Sequence, residues 1–382
     1  MLESDTRSWL EINLSNIGHN INEIRKLIPS TSDIMAIVKA NAYGHGDVIC
    51  AKELQRCGVH FFGVSSVDEG VQLREGGILD PILVLGYTPP VHFPLLVKYD
   101  LLQTFLSLDY AKKVDAYCAQ HDQCIQGHVK VDTGMSRIGI IAQPHEYHID
   151  DILEVYRMKH LHACGIFSHF SVSDALDEDN VAYTMKQKEM FDRVLQDIKD
   201  AGIDAGCRHL QNSYGILNYP DLTYDLVRPG LLWMGVTSDD AVKINTKPNF
   251  KPVMQWKANV SLVKCIQDGV NVSYGRHYCA NGVRMIATIA LGYADGYPRS
   301  LSNIGASVLL HGKRANIVGN ICMDQMMIDV SDIDDVKEGD VVTLFGCDED
   351  QCINIDEVTR AAGTINNETF CRISARVPRI YK

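Results

Sequence analysis

Lys39 ends an apolar run that begins near Ile34, and a turn of small residues carrying Tyr43 follows at once in the stretch AIVKANAYGHG. An amine at the mouth of a buried strand is poorly hydrated in its charged form. Its pKa falls, and it becomes a nucleophile or Schiff-base former. Other chemically capable groups also sit at the ends of short apolar runs. Lys130, Asp132 and Arg137 lie in HVKVDTGMSRIG, His169 in GIFSHF, His209, Asn212 and Ser213 in HLQNS, and Arg228, Gly230 and Leu231 in VRPGL. Each alone reads as an ordinary strand-end residue. Together they require a fold that gathers strand ends.

The elements that would do this are visible as periodicity. Between residue 33 and about 230, eight apolar runs alternate with helical patterns: 33–40, 61–65, 81–86, 101–106, 127–131, 162–168, 208–211 and 224–227. Eight such units predict a (β/α)8 TIM barrel, with a doubly wound sheet as the alternative. Ser66-x-x-Glu69 opens a helix over 67–75 with a capping-box signature. A second helix is expected over 184–200, with Gly202 as its stop. Leu14, Ile17, Ile21, Ile24 and Leu27 form a helical stripe, and residues 6–12 read as a separate strand. Beyond a polar linker, short runs from Met254 onward read as a β-rich domain. The expected organisation is residues 1–11 as a strand joining that domain, 12–240 as the barrel and 241–382 as the β-domain.

In such a barrel the strand ends form the active site, and phosphate sites favour the loops after strands seven and eight. Ser213 supplies a hydroxyl there, and the backbone beside Gly230 can approach an anion closely. A reactive lysine facing a phosphate site points to pyridoxal phosphate (PLP). A sugar-phosphate enzyme whose lysine reacts directly with substrate is the competing reading.

The chain has 382 residues, a net charge of −12 and 46% hydrophobic residues. The acidic balance argues against nucleic acid as a partner. No apolar run is long enough to span a bilayer, so no membrane contact is expected from this segment. Twelve cysteines without a C-x-x-C, several in apolar runs (Cys164, Cys265, Cys322, Cys371), read as reduced and buried residues of a cytosolic protein.

Nine ordered segments are similar to the alanine racemase family of fold-type III PLP enzymes. They are those quoted above together with VSYGR, LGYADGYPR, GNICMDQMMIDV and GTINNE followed by RVPRIY. The resemblance implies a two-base racemase with Lys39 as cofactor lysine and one base. Tyr274 would be the other base, delivered by the second subunit of a head-to-tail homodimer. It implies phosphate contacts from Tyr43, Ser213, Gly230 and Leu231, and cofactor contacts from Asn212. Arg228 would face the pyridine nitrogen, supported by His209, and His169 would support the tyrosine. Arg137 would lie near the cofactor's phenolic oxygen and the substrate, held by a carbamate on Lys130. Met323 and Tyr293 would meet the substrate. A free tyrosine titrates near ~10, so Tyr274 needs nearby positive charge to act at neutral pH.

Asn367 in GTINNE departs from the family, which has tyrosine there. An amide in place of a ring offers room and hydrogen bonds for a hydroxymethyl side chain. The expectation is therefore a racemase of serine and also alanine, with a dedicated alanine racemase as the alternative. The same departure resembles the racemase domain of membrane-bound serine racemases of vancomycin-resistant bacteria. On that resemblance the chain is a cytoplasmic enzyme or the cytoplasmic domain of an anchored protein. An amino-acid decarboxylase would want an acidic residue where Arg228 stands, and a non-catalytic PLP carrier would have no use for a second base.

Overall fold

The computed structural model describes residues 6–246 and 248–382. The chain divides into two compact units. One comprises residues up to Asn16, Ser238–Asp240 and Pro252–Lys382; the other comprises Ile17–Thr237 and Ala241–Lys251.

The second unit is a closed parallel barrel. Its strands are Asp33–Ile37, Phe61–Val64, Ile82–Val84, Leu102–Phe105, Ile125–Asp132, Leu161–Phe167, Cys207–His209 and Leu226–Val227. Each pairs in parallel with the next, and Leu226 opposite Asp33 closes the ring. The eight expected runs are these eight strands, and closure decides for the barrel over the doubly wound sheet. One excursion was not expected: Ile140–Gln143 pairs alongside the end of the fifth strand and then turns back through Glu146–Tyr147.

The helix Val67–Glu75 has its expected bounds, but its capping box is only half formed. Ser66 accepts from the Glu69 N–H, while the Glu69 carboxylate turns to Ser65 N–H and Ala40 N–H. The helix expected over 184–200 begins earlier, as Glu178–Asp200, because Asp177 caps it. Its buried face runs through Thr184, Gln187, Phe191, Val194 and Ile198.

The first unit is β-rich. Met254–Ile266 pairs with Arg284–Ile289 and with Val341–Asp348, so the antiparallel sheet closes on itself. Ser8–Ile12 lies antiparallel to Met254–Ile266 and parallel to Arg379–Tyr381. Trp9, Trp256, Tyr297 and Phe345 fill its core.

The cysteine expectation needs correction. Val341–Asp348 and Gln351–Ile353 form a hairpin that sets Cys347 directly opposite Cys352, and the two form a disulfide. Cys265 and Cys371 are exposed rather than buried. Both lie near element ends, where an apolar run in sequence does not guarantee a covered face. No helix among the described residues is long and apolar enough to cross a membrane.

Candidate active site

The first barrel strand is fixed where it ends. Ile37 donates its N–H to Pro229 O at 3.0 Å, and Val38 donates to Gly63 O at 3.0 Å. The Trp233 indole donates to Ile37 O at 3.1 Å. Half-buried Lys39 then opens a left-handed turn in which Ala40, Asn41, Ala42 and Tyr43 have φ of 53°, 53°, 50° and 51°. Left-handed backbone costs a non-glycine residue roughly 1–2 kcal/mol, so four in succession need outside support. Glu69 supplies it, accepting Ala40 N–H at 2.7 Å and Ser65 N–H at 2.6 Å. Buried His45 adds a bond from Nδ1 to Ala42 O at 3.0 Å.

The turn aims Tyr43 at the loop after the eighth strand. A Cβ placed on Gly230 would lie 2.9 Å from Tyr43 Oη, so only glycine leaves this gap. Ser213, which opens the short helix Ser213–Asn218, accepts the Gly230 N–H at 3.1 Å. Leu231 follows at the start of a buried 3-10 turn. Tyr43, Ser213, Gly230 and Leu231 are thus brought together.

Arg228 is the hub of the strand ends. It is 4% exposed, and its guanidinium donates to Ser168 O at 2.8 Å, Leu210 O at 2.9 Å, His209 Nδ1 at 2.9 Å and His169 Nδ1 at 3.1 Å. None of these acceptors is a carboxylate. Burial, with Arg137 adding to it, pulls the guanidinium down to about 9, so it stays charged at neutral pH. Burial and then Arg228 hold His169 and His209 well below the usual imidazole range, and both are neutral. Since Arg228 can only donate, the proton of His169 sits on Nε2, on the far side from the arginine. Asn212 caps the helix that Ser213 opens, accepting Gly215 N–H at 2.8 Å.

Lys130 and Asp132 lie in the fifth strand. Lys130 is 2% exposed, and burial brings its ammonium down to about 7 against the pull of Asp132, with Arg228 and Arg137 adding to the fall. Asp132 Oδ1 accepts the N–H groups of Gly134, Met135 and Ser136, each at 3.0 Å. That cage shapes the loop presenting Arg137, which is exposed. Around Lys130, Arg228 and Arg137 the caged Asp132 carboxylate is spent on backbone N–H groups.

Four expected site residues belong to the β-rich unit. Tyr274 is 73% exposed, yet its backbone is fixed: Asn320 Nδ2 donates to Tyr274 O at 2.8 Å, and Ser273 Oγ to Asn320 O at 2.6 Å. Tyr293 N–H bonds Cys322 O and Ala294 N–H bonds Met323 O, each at 3.0 Å, which sets Tyr293 beside Met323. Buried Asp295 braces this corner, accepting Gly292 N–H at 2.9 Å and Arg376 Nε at 2.7 Å, while Arg376 also holds Asp324. Asn367 lies on the helix Asn366–Arg372, and its Oδ1 accepts from Ser238 Oγ at 2.8 Å.

Residues 12–238 match the model of the alanine racemase N-terminal domain, and residues 253–381 that of its C-terminal domain. The chain belongs to the alanine racemase family. It is 41% identical to the alanine racemase of Clostridium novyi over 98% of this chain and 95% of that one. Identity to the alanine racemase of Methanococcus maripaludis is 39%, over 98% of each chain. Among solved structures, alanine racemase from Clostridium difficile superposes with a TM-score of 0.91 at 36% identity, covering 99% of this chain and 96% of that one. A histidine racemase from Leuconostoc mesenteroides superposes at 0.88 with 28% identity, covering 98% of both chains.

Alanine racemases depend on PLP, and the barrel's strand ends suit it. PLP is an anion through its phosphate, and a cradle that a Cβ would block, beside buried cations without acidic acceptors, is a site for an anion. Lys39 could hold the aldehyde, and Tyr43, Ser213 and the Gly230–Leu231 backbone the phosphate.

Two residues of the site were missed in the sequence. His128 shares the strand face of Lys130 and Asp132 by its spacing of two, and its Nδ1 lies 2.8 Å from His209 Nε2. Gln187 falls inside the helix expected over 184–200, and it is buried and bonds His169 O at 3.1 Å and Ser171 N–H at 2.9 Å. The first was legible from strand alternation; the second is masked by helical periodicity.

Proposed function

We propose that the protein interconverts L- and D-alanine by PLP-dependent two-base racemisation. The observation that supports it most is the buried Arg228, whose acceptors are all neutral, behind strand ends that present Lys39 and the Tyr43–Ser213–Gly230 cradle. When bound, PLP withdraws electrons from the α-carbon and so eases loss of its proton. Lys39 Nζ holds or returns that proton on one face. Tyr274 of a second copy does so on the other, in a head-to-tail homodimer. A tyrosine 73% exposed on a braced backbone suits a residue that works on a partner. His169, held by Arg228, supports the tyrosine from the barrel side, and Met323 and Tyr293 guide the substrate. A decarboxylase reading loses ground because Arg228 stands where an acid would be needed, and a carrier has no use for Tyr274.

A carbamate on Lys130 belongs to the same reading. An amine near 7 is largely neutral above that pH, so its nitrogen can attack carbon dioxide and release a proton. The anion formed would face Arg137. In 13C-bicarbonate, a carbamate signal lost in Lys130→Met checks this.

Alanine is placed before serine because the relatives from Clostridium novyi, Methanococcus maripaludis and Clostridium difficile are alanine racemases. The Asn367 carbonyl accepts from Ser238, so a substrate hydroxyl would have to share that oxygen. The deciding experiment incubates purified protein with L-alanine or L-serine in deuterated water and follows optical rotation and α-deuteration. Alanine should racemise with deuterium entry. Carbon dioxide release would indicate decarboxylation, and no exchange a carrier. A serine-to-alanine kcat/KM ratio above unity that falls in Asn367→Tyr would restore the serine reading.

A further inference from the structure

Arg228 has no lone pair, so each group it touches must accept. Its Nη1 lies 2.9 Å from His209 Nδ1, which puts the His209 proton on Nε2. That Nε2 lies 2.8 Å from His128 Nδ1, which must then accept, leaving the His128 proton on its own Nε2. The order Arg228 to His209 to His128 therefore runs one way, and both rings are neutral. Titration agrees: burial, then Arg228, brings His128 down to about 3.

The surroundings allow little slack. His209 stacks on Phe167 at 4.7 Å and 7°, and Phe61 meets the His128 ring edge-on at 5.8 Å. A Cβ on Gly165 would lie 2.7 Å from His128 Nε2, so the sixth strand passes close enough only as glycine. His128 is 1% exposed. Nothing in this packing needs an imidazole except the bond to His209.

We propose that His128 is a positioning residue for the reaction, accepting from His209 so that His209 Nδ1 grips the Arg228 guanidinium in one orientation. An imidazole whose N–H is bonded is a stronger acceptor at its other nitrogen, as for metal-bound histidines steadied by an outer partner. The inference rests on the reading above, in which Arg228 faces the cofactor ring.

The test uses the holoenzyme with His128→Leu and His128→Gln. Leucine leaves His209 Nε2–H buried without an acceptor, whereas the glutamine carbonyl can replace it. In His128→Leu, kcat should fall by about 10- to 100-fold with KM little changed. The visible band of the lysine-bound cofactor should also shift before substrate is added. His128→Gln should recover most of the rate and the wild-type band. A packing role alone would lower Tm in both variants and leave kcat and the band in place, and that result overturns the proposal. If His128→Leu does not fold, 15N NMR of the wild-type histidines decides: Nε2–H on both His209 and His128 supports the relay, and Nδ1–H on either refutes it. Wild-type protein that fails to racemise alanine would defeat the functional reading, while the NMR result would still judge the relay.

Discussion

Lys130 shows how one side chain records its surroundings. Its unfolded amine keeps a proton to about 10.4, while in the fold burial, with Arg228 and Arg137 adding, brings it to about 7. Between those values the unfolded chain binds one more proton, so stability rises with pH across that window; below about 7 the full penalty is present. In carbonate-free buffer without cofactor, Lys130→Met should be more stable than wild type near pH 7. The gap should narrow by up to about 1.4 kcal/mol per pH unit toward pH 10. Denaturant unfolding across the window gives the two slopes, and equal slopes would show the amine to be ordinary. His128 and Asn367 mark what residue-level reading misses: the type is visible in sequence, but its hydrogen-bond partner, His209 or Ser238, is not.

At the level of elements, the turn at Ala40–Tyr43 and the helix Val67–Glu75 depend on each other. Ser66-x-x-Glu69 correctly marks a helix start, yet the carboxylate serves the neighbouring turn rather than its own Ser66 N–H. Glu69→Ala should cost about 1–3 kcal/mol, since two charge-assisted bonds are lost, and should weaken PLP binding because Lys39 and Tyr43 flank the released turn. Equilibrium dialysis of PLP against the variant measures this; unchanged affinity would show that the turn holds itself. The strand positions were legible because each is a short, largely apolar run set between helical patterns. The left-handed turn was not, because Ala, Asn and Tyr have no intrinsic bias toward four positive φ angles in a row.

For the whole molecule, the prediction concerns subunits. If Tyr274 serves a second copy, Lys39→Ala and Tyr274→Phe are each inactive alone. Co-refolded in equal amounts, half the dimers pair one of each, and each such dimer has one intact site. Activity should return to about a quarter of wild type. A mixture no more active than its parts would place both bases on one chain.

The sequence by itself determined the eight barrel strands, the β-rich unit and the chemically capable residues. Those depend on alternation, residue type and spacing, which are local. The tertiary structure decided closure of the barrel through Leu226 and Asp33 and the neutral tautomers around Arg228. It also decided the Cys347–Cys352 pairing and the gap that only Gly230 leaves for Tyr43. Each of these joins groups whose meeting is fixed by packing: a hydrogen-bond direction, a proton's position or the space for one methyl group exists only once both partners are in place.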